Sequence, residues 1–566
     1  MNSLVTQHLP LLADSPKGVQ KLRELILELA VRGKLVPQDP NDEPANELLG
    51  RIAEEKARLV AEGKIKKQKP LAEIKDEEKP FELSEGWEWA RLGEITNFGM
   101  TTKKNEIPNN AWILDLEDIE KDTSRLLQKV FFSERNSLSD KNFFMKGDVL
   151  YGKLRPYLNK VIVADDDGFC TTEIIPFRCY ITFDGGYFKY VLKSLYFLDY
   201  VNSKSYGMKM PRLGTEDGRQ ALFPLPPLPE QHRIVAKVDE LMALCDRLEA
   251  RQADAESAHA QLVKTLLDSL TQAQDARDFA AHWQRLAEHF HSLFTTESSI
   301  DALKQSLLQL AVMGKLVPQD PNDEPASELM ERLRAERLEW LMFKQGEDSE
   351  CRTMLRKLSE LTETVPPFSL PSSWLAVHLI DCCQLLVDCH NKTAPYVTEG
   401  IPIIRTSNIR NQNFRLDDLK YVNEETYSFW SRRCPPESGD IMFTREAPMG
   451  EAAIIPDGVK FCLGQRTMLI RPMHEYIDNR YLLIALTEPH LLERASTSAI
   501  GATVKHLRVG DVEQLNIPLP PLLEQHRIVA KVDQFMALCD QLKAQLSQAR
   551  QLQTNLTNAL VEQAIA

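Results

Sequence analysis

A chain of 566 residues has room for three or four structural units of roughly 100 to 200 residues each, and 43% hydrophobic with 27% charged residues is globular composition. Wholesale disorder, collagen and a disulfide-stapled miniprotein are excluded. The net charge of -14 argues against a uniformly basic nucleic-acid binder, but the excess is local. Residues 224–367 hold 16 basic and 25 acidic side chains, whereas residues 81–223 hold 19 and 21 and residues 400–517 hold 14 and 15. Phosphates repel acidic helices, which suit solvent or a basic protein partner better, so the two near-neutral regions are the better candidates for any contact with DNA. The first residues lack a basic n-region and a long apolar run, and no later stretch approaches the ~18 apolar residues of a membrane span, so a cytoplasmic protein with no membrane association is expected. Ten cysteines without a CxxC pair indicate reduced, packed thiols. Cys382, Cys383, Cys389 and His390 form the one cluster, and adjacent cysteines fit metal-ligand spacing poorly.

Taken along the chain, the sequence is written twice. Residues 22–52 (LRELILELAVRGKLVPQDPNDEPANELLGRI) recur at 303–333, with GKLVPQDPNDEPA repeated letter for letter. In both copies a helix is expected to stop at Gly33 or Gly314, turn through VPQDPNDEP, and resume near Ala45 or Ala326. PFELSEGW at 80–87 recurs as PFSLPSSW at 367–374, and residues 224–248 recur at 518–542 with four differences in 25 positions. Between the second and third matches lie stretches of about 140 residues that are largely dissimilar, apart from Gly147-Asp148-Val149 and Gly439-Asp440-Ile441 at corresponding places. β-rich runs at 112–116, 160–164 and 173–180, and at 401–406, 451–455 and 466–471, interleave with helical stretches such as 187–200. These are α+β or α/β domains whose strand order the pattern leaves open. The third repeat spaces Ile234, Val238, Leu241, Cys245 and Leu248, and Ile528, Val532, Phe535, Cys539 and Leu542, as an a/d seam, so helix-pair or coiled-coil packing is expected, with an ordinary core helix as the alternative. Prolines before the helix entry and Glu230 or Glu524 in the first turn suit a helix N-terminus.

Near-identical scaffolding around two divergent domains presents two different surfaces in equivalent poses. A pseudo-twofold monomer of this kind can read an asymmetric DNA site as a homodimer reads a palindrome. The sequence resembles the specificity (S) subunits of type I restriction-modification enzymes along essentially its whole length. LPPLPEQHRIVAKVDELMALCDRLE with its second copy, LRELILELAVRGKLVPQDPNDEPA, GDVLYGKLRPYLNK and GDIMFTREAPMGEA carry the likeness. The resemblance implies an N-terminal helical region at 1–79, a target-recognition domain at 80–223, a central helical region at 224–366, a second recognition domain at 367–517, and a C-terminal helix at 518–566. It implies an α+β fold in which long antiparallel conserved helices separate two similarly framed α/β domains, each reading half of a split duplex site in phage defence. Methyltransferase (M) and motor-nuclease (R) subunits, two of each, are the implied partners, and S-adenosylmethionine, ATP and Mg belong to them.

The residues agree with a noncatalytic chain. No GxxxxGK[ST] loop, [DNS]PP[YF] motif or FxGxG turn is present. Val365-Pro366-Pro367-Phe368 lacks the polar group that would accept a target amino hydrogen. Glu77-Glu78-Lys79 lies in a Lys/Glu-rich linker. His232 and His526, in EQHR, have no nucleophile nearby in sequence and suit a cap, surface or partner contact. A fused methyltransferase would need the missing cofactor motifs, and a non-DNA coiled-coil adaptor would not need two divergent domains. Base edges call for Arg, Asn or Gln and phosphates for cations or hydroxyls, so the candidate loops hold Tyr151, Lys153, Arg155, Tyr157 and Lys160, and Lys204, Lys209 and Arg212. In the second domain they hold Arg405, Ser407, Asn408 and Arg410, with Arg445, Arg466, Lys505 and Arg508.

Overall fold

The computed structural model describes residues 15–135, 139–207, 209–346, 348–390, 392–496 and 506–565. The chain divides into two compact units, Met1–Ala255 with Ala549–Ala566, and Glu256–Gln548. Among the described residues no helix is long and apolar enough to cross a membrane.

The first unit opens with the helix Gly18–Val31, which buries Leu22, Leu25, Ile26 and Leu29. It stops where the sequence says. Gly33 adopts φ +70°, and Lys34 N donates to Leu29 O at 2.9 Å, a left-handed helix terminus that favours glycine. The helix Ala45–Ala61 follows the turn. The second unit repeats this with Glu297–Val312, Gly314 at φ +70°, Lys315 N donating to Leu310 O at 3.1 Å, and Ala326–Lys344.

Each divergent domain hangs on a two-stranded neck. Glu88–Arg91, the chain entering the first domain, pairs antiparallel with Leu222–Leu225, the chain leaving it. Leu375–His378 pairs in the same way with Asn516–Leu519. The repeats flank these necks, so the chain between can change in sequence while its entry and exit stay fixed.

Inside the domains the strand order is the same although the sequences differ. The first has the antiparallel sheet Thr96–Asn97, Ile174–Cys179, Val149–Gly152, Val161–Val163, and the second has Cys383–Asp388, Thr467–Pro472, Ile441–Thr444, Ala452–Ile454. A further sheet places Trp112–Leu114 parallel to Gly168–Thr171 and antiparallel to Val130–Phe131. Ile401–Ile404 stands likewise between Cys462–Leu463 and Lys420–Val422. Met100–Thr102 and Lys141–Phe144 extend this sheet in the first domain to five strands. The helix expected at 187–200 is two, Gly185–Lys193 and Leu195–Lys204. Ser194 turns extended (ψ 153°), and its hydroxyl caps the second helix by accepting from Phe197 N. A serine in the middle of an apolar stretch was the available signal.

The third repeat forms the helices Leu228–Thr271 and Leu522–Ile565, 44 residues each. In the first unit Leu241, Cys245 and Leu248 share a core with Leu560, Val561 and Ala564. In the second, Val263, Leu267 and Leu270 share one with Phe535, Cys539 and Leu542. Early turns of one helix thus meet late turns of the other in both units, as an antiparallel pair requires. The same clusters contain recognition-domain side chains, Tyr187 and Phe223 in the first, Tyr481 and Ile517 in the second, so the seam also serves as a core helix of its unit.

The letter-for-letter repeats form a clasp. Glu230 is buried and accepts from Trp87 Nε1 at 3.0 Å and from Gln38 Nε2 at 3.1 Å, while Gln38 also donates to Gly33 O at 2.7 Å. Gln231 donates to Pro226 O and accepts from Asp184 N, both at 3.1 Å. His232 Nδ1 lies 2.7 Å from Asp184 Oδ2, and Arg233 pairs with Asp42 at 2.7 Å. EQHR therefore spends all four side chains on GKLVPQDPND, on the SEGW turn and on the cap of a domain helix. The second copy repeats most of these links, though not the indole bond of Trp87, and its His526 stands 3.6 Å from Asp478. Gln319 donates to Glu524 at 3.1 Å and to Gly314 O at 2.8 Å, Gln525 accepts from Asp478 N at 2.9 Å, and Arg527 pairs with Asp323 at 2.5 Å.

Candidate nucleic-acid interface

The Gly-Asp turns that begin the central strands are structural. Asp148 accepts from Met145 N at 2.8 Å and pairs with Arg178 at 2.8 Å, and Asp440 accepts from Glu437 N at 2.9 Å and pairs with Arg471 at 2.7 Å. Both carboxylates are buried. They fix where the strand starts and so where the following loop emerges.

In the first unit that loop is sewn to Glu173 and to a segment nearly sixty residues on. Lys153 N donates to Glu173 O at 2.9 Å, Leu213 N to Lys153 O at 3.0 Å, and Arg155 N to Pro211 O at 2.7 Å. Arg155 holds a left-handed backbone, φ 51°. The structure thereby brings Lys153, Arg155 and Tyr157 together with Lys209 and Arg212. Arg212 is tied to Glu173 at 2.9 Å, whereas among the described residues no ion pair holds Lys153, Lys204 or Lys209. Lys204, exposed, ends the helix that precedes this segment. Lys160 turns back to donate to Leu116 O at 2.7 Å, and burial draws its pKa below the ordinary value. Tyr151 is placed otherwise than a DNA contact requires. At 2% exposure it packs on Phe177 and Phe197, so its part is in the core.

The second unit repeats the junction with other side chains. Arg445 N donates to Arg466 O at 3.0 Å and Leu507 N to Arg445 O at 3.1 Å. A cavity of about 210 Å³ opens there, lined by Arg445, Glu446, Gln465, Arg466 and His506. Gly464 N donates to Ile404 O at 2.9 Å, joining the Arg405 loop to the same region, and a Cβ on Gly464 would collide with that carbonyl. Asn408 is buried and closes its own turn, accepting from Arg405 N at 3.1 Å and donating to Arg415 O at 3.1 Å, which removes it from base contact. Arg410 donates to Thr406 O at 2.6 Å. Ser407 is exposed on the turn.

Three of these arginines already have a carboxylate. Arg405 meets Asp418 at 2.9 Å and holds its carboxyl below the usual range, Arg445 meets Asp388 at 3.0 Å, and Arg466 pairs with Glu446. Their availability differs. The Arg466 side chain is 56% exposed and the Arg445 side chain 14%, so Arg466 can reach outward while Arg445 braces the loop. Arg508 is exposed at a helix start, and its backbone N donates to Asp511 at 2.9 Å. Lys505 lies outside the described residues. Glu446, Gln465 and His506 escaped sequence reasoning. Glu446 and Arg466 are twenty residues apart, and only the backbone pairing at Arg445 places them side by side.

The thiols near His390 are dispersed. Cys383 donates to Leu379 O at 3.1 Å, Cys389 accepts from Arg466 N at 3.0 Å, and the His390 ring packs edgewise on Trp430. Among the described residues no group of three or more His, Cys, Asp or Glu could hold a metal.

The family described as type I restriction modification DNA specificity domain matches residues 84–256 and 372–549, one match on each divergent domain and the start of its helix. The type I restriction enzyme EcoAI specificity subunit of Escherichia coli is 36% identical over 97% of this chain and 94% of its own length. The EcoEI specificity subunit of Escherichia coli is 34% identical over the same shares. A solved structure from work on complex assembly and conformational transition of the type I R-M system covers 86% of this chain and 99% of its own with TM-score 0.51 at 19% identity, a likeness of fold. The chain belongs to the type I restriction-modification specificity subunits, the noncatalytic DNA-recognition components of these enzymes.

Proposed function

We propose that this chain reads an asymmetric, bipartite duplex site in the cytoplasm, one half with each recognition domain. It docks methyltransferase subunits and motor-nuclease subunits, two of each, which bring S-adenosylmethionine, ATP and Mg. The observation that carries this reading is the pair of matching necks and clasps around domains whose junction side chains differ: Lys153, Arg155 and Arg212 in one, Arg445, Arg466 and His506 in the other. Equal frames give equal poses, and unequal side chains give unequal half-sites. The test is methyl transfer to DNA by the purified chain with and without its M partner. Transfer is expected only when M is present, and transfer by the chain alone, free of M, would contradict the assignment.

Within the second domain, Arg466→Ala is expected to weaken binding to the cognate duplex by roughly 1 to 3 kcal/mol if the guanidinium reads a base, with unrelated DNA unaffected. A phosphate contact would instead lower affinity for all sequences and reduce the salt slope by about one. Fluorescence anisotropy over a salt series separates the two. Unchanged affinity for both DNAs would remove Arg466 from the interface.

A further inference from the structure

The hairpin closed by Tyr206 and Arg212 in the first domain, described apart from residue 208, combines features that a phosphate-binding loop does not need. Tyr206 and Met210 are 60% and 57% exposed, and Tyr157 on the adjoining loop is 48% exposed. Large apolar groups left in water within one small area mark a surface that meets a partner. Their base is held by backbone hydrogen bonds. Tyr206 N donates to Arg212 O at 3.1 Å and Arg212 N to Tyr206 O at 3.0 Å, Arg155 N holds Pro211 O, and Gly207 turns the chain at φ 102°. The surroundings select the partner: residues 204–212 contain no carboxylate and three cations, of which Arg212 is paired with Glu173 and Lys204 and Lys209 are in no ion pair among the described residues. A protein face complementary to the apolar groups alone would not require this charge, whereas a nucleic acid offers phosphates for the lysines and base faces for the tyrosine and methionine.

We propose that this hairpin is a wedge. Tyr206 and Met210 enter between neighbouring base pairs of the half-site read by the first domain, Lys204 and Lys209 take the flanking phosphates, and the step is unstacked and kinked. Part of the specificity of this half-site then comes from how easily its sequence deforms, without a hydrogen bond to any base. The inference rests on the proposed DNA-reading role of the first domain.

The test uses the full chain assembled with its own methyltransferase subunits, bound to a duplex carrying the site mapped from its methylation pattern. 2-Aminopurine is placed in turn at each position of the first-domain half-site. The wild-type complex should raise the fluorescence several-fold at one step. The double variant Tyr206→Ala with Met210→Ala should lose that rise and bind this duplex roughly tenfold to hundredfold more weakly, while affinity for an unrelated duplex stays the same. Tyr206→Phe should restore the signal. Both side chains are mostly exposed, and an unchanged melting curve would confirm that the double variant folds. No rise at any position, a rise that survives the double substitution, or an equal loss on unrelated DNA overturns the wedge. So does failure of the variant to assemble with methyltransferase subunits, which would make this a protein-docking face. If exchanging residues 81–223 left the methylated site unchanged, the DNA-reading role itself would fall, and the wedge with it.

Discussion

Adding one heptad to each long helix, after Leu248 and after Leu542, is expected to widen the unspecified gap of the DNA site while leaving the bases on either side the same. Each helix runs unbroken over 44 residues, and its first and last turns belong to different units. Seven residues at 1.5 Å rise add about 10 Å, or about three base pairs at 3.4 Å. A heptad preserves the a/d phase, with a residual twist of about 20°, so the buried faces at Leu241, Cys245, Phe535 and Cys539 stay buried. Both helices must grow together, since an insertion in one alone puts the pair out of register. Three base pairs also turn the second half-site by about 100° around the duplex, so reduced activity should accompany the wider spacer. Mapping methylated bases for the double-insertion protein checks this. Retained activity on an unchanged spacer would show that these helices do not set the gap.

Glu230→Ala should have the largest effect on stability. The carboxylate is 1% exposed and is the common acceptor for Trp87 and Gln38. Its removal strands the buried Trp87 donor at about 1 to 3 kcal/mol and loosens the helix start from the turn at Gly33, while Gln38, exposed, keeps its bond to Gly33 O. A loss of about 1 to 3 kcal/mol in denaturant unfolding is expected, and one below about 0.5 kcal/mol, the range of an ordinary surface change, would mean that the clasp does not hold the unit together. The pH dependence has a defined sign. Burial raises the Glu230 pKa above the usual carboxylate range, against the lowering effect of the Trp87 and Gln38 donors. The folded state then takes up the proton more readily than the unfolded one, and this contribution is fully present below the unfolded pKa and lost as pH rises through the folded one. The wild-type advantage over Glu230→Ala should therefore narrow as pH rises from about 4 toward neutrality.

The repeats make the frame legible in the sequence, because glycine at a left-handed helix stop and prolines at a helix start act locally. The domains were less legible for definite reasons. The strand Val149–Gly152 is buried on both faces, Val149 and Tyr151 in one core and Leu150 in another, so no alternation marked Tyr151 as interior. Arg405 and Asn408 carry the side chains of base readers, yet a turn that needed an internal cap has taken the asparagine and Asp418 occupies the arginine. At the junctions, Lys153 and Leu213, or Arg445 and Leu507, are about sixty residues apart and meet only through backbone pairing, which side-chain type does not announce. Strand order was open for the same reason.

The central claim is that two unlike domains in equal frames read two unlike half-sites, and exchanging one of them tests it most directly. Residues 81–223 are replaced by the corresponding domain of a specificity subunit that methylates a different site, keeping the neck and clasp of this chain, and methylated bases are mapped with the M partner present. One half of the site should change to that of the donor, with the other half and the spacer length retained. A site changed in both halves, or in neither, would contradict the account.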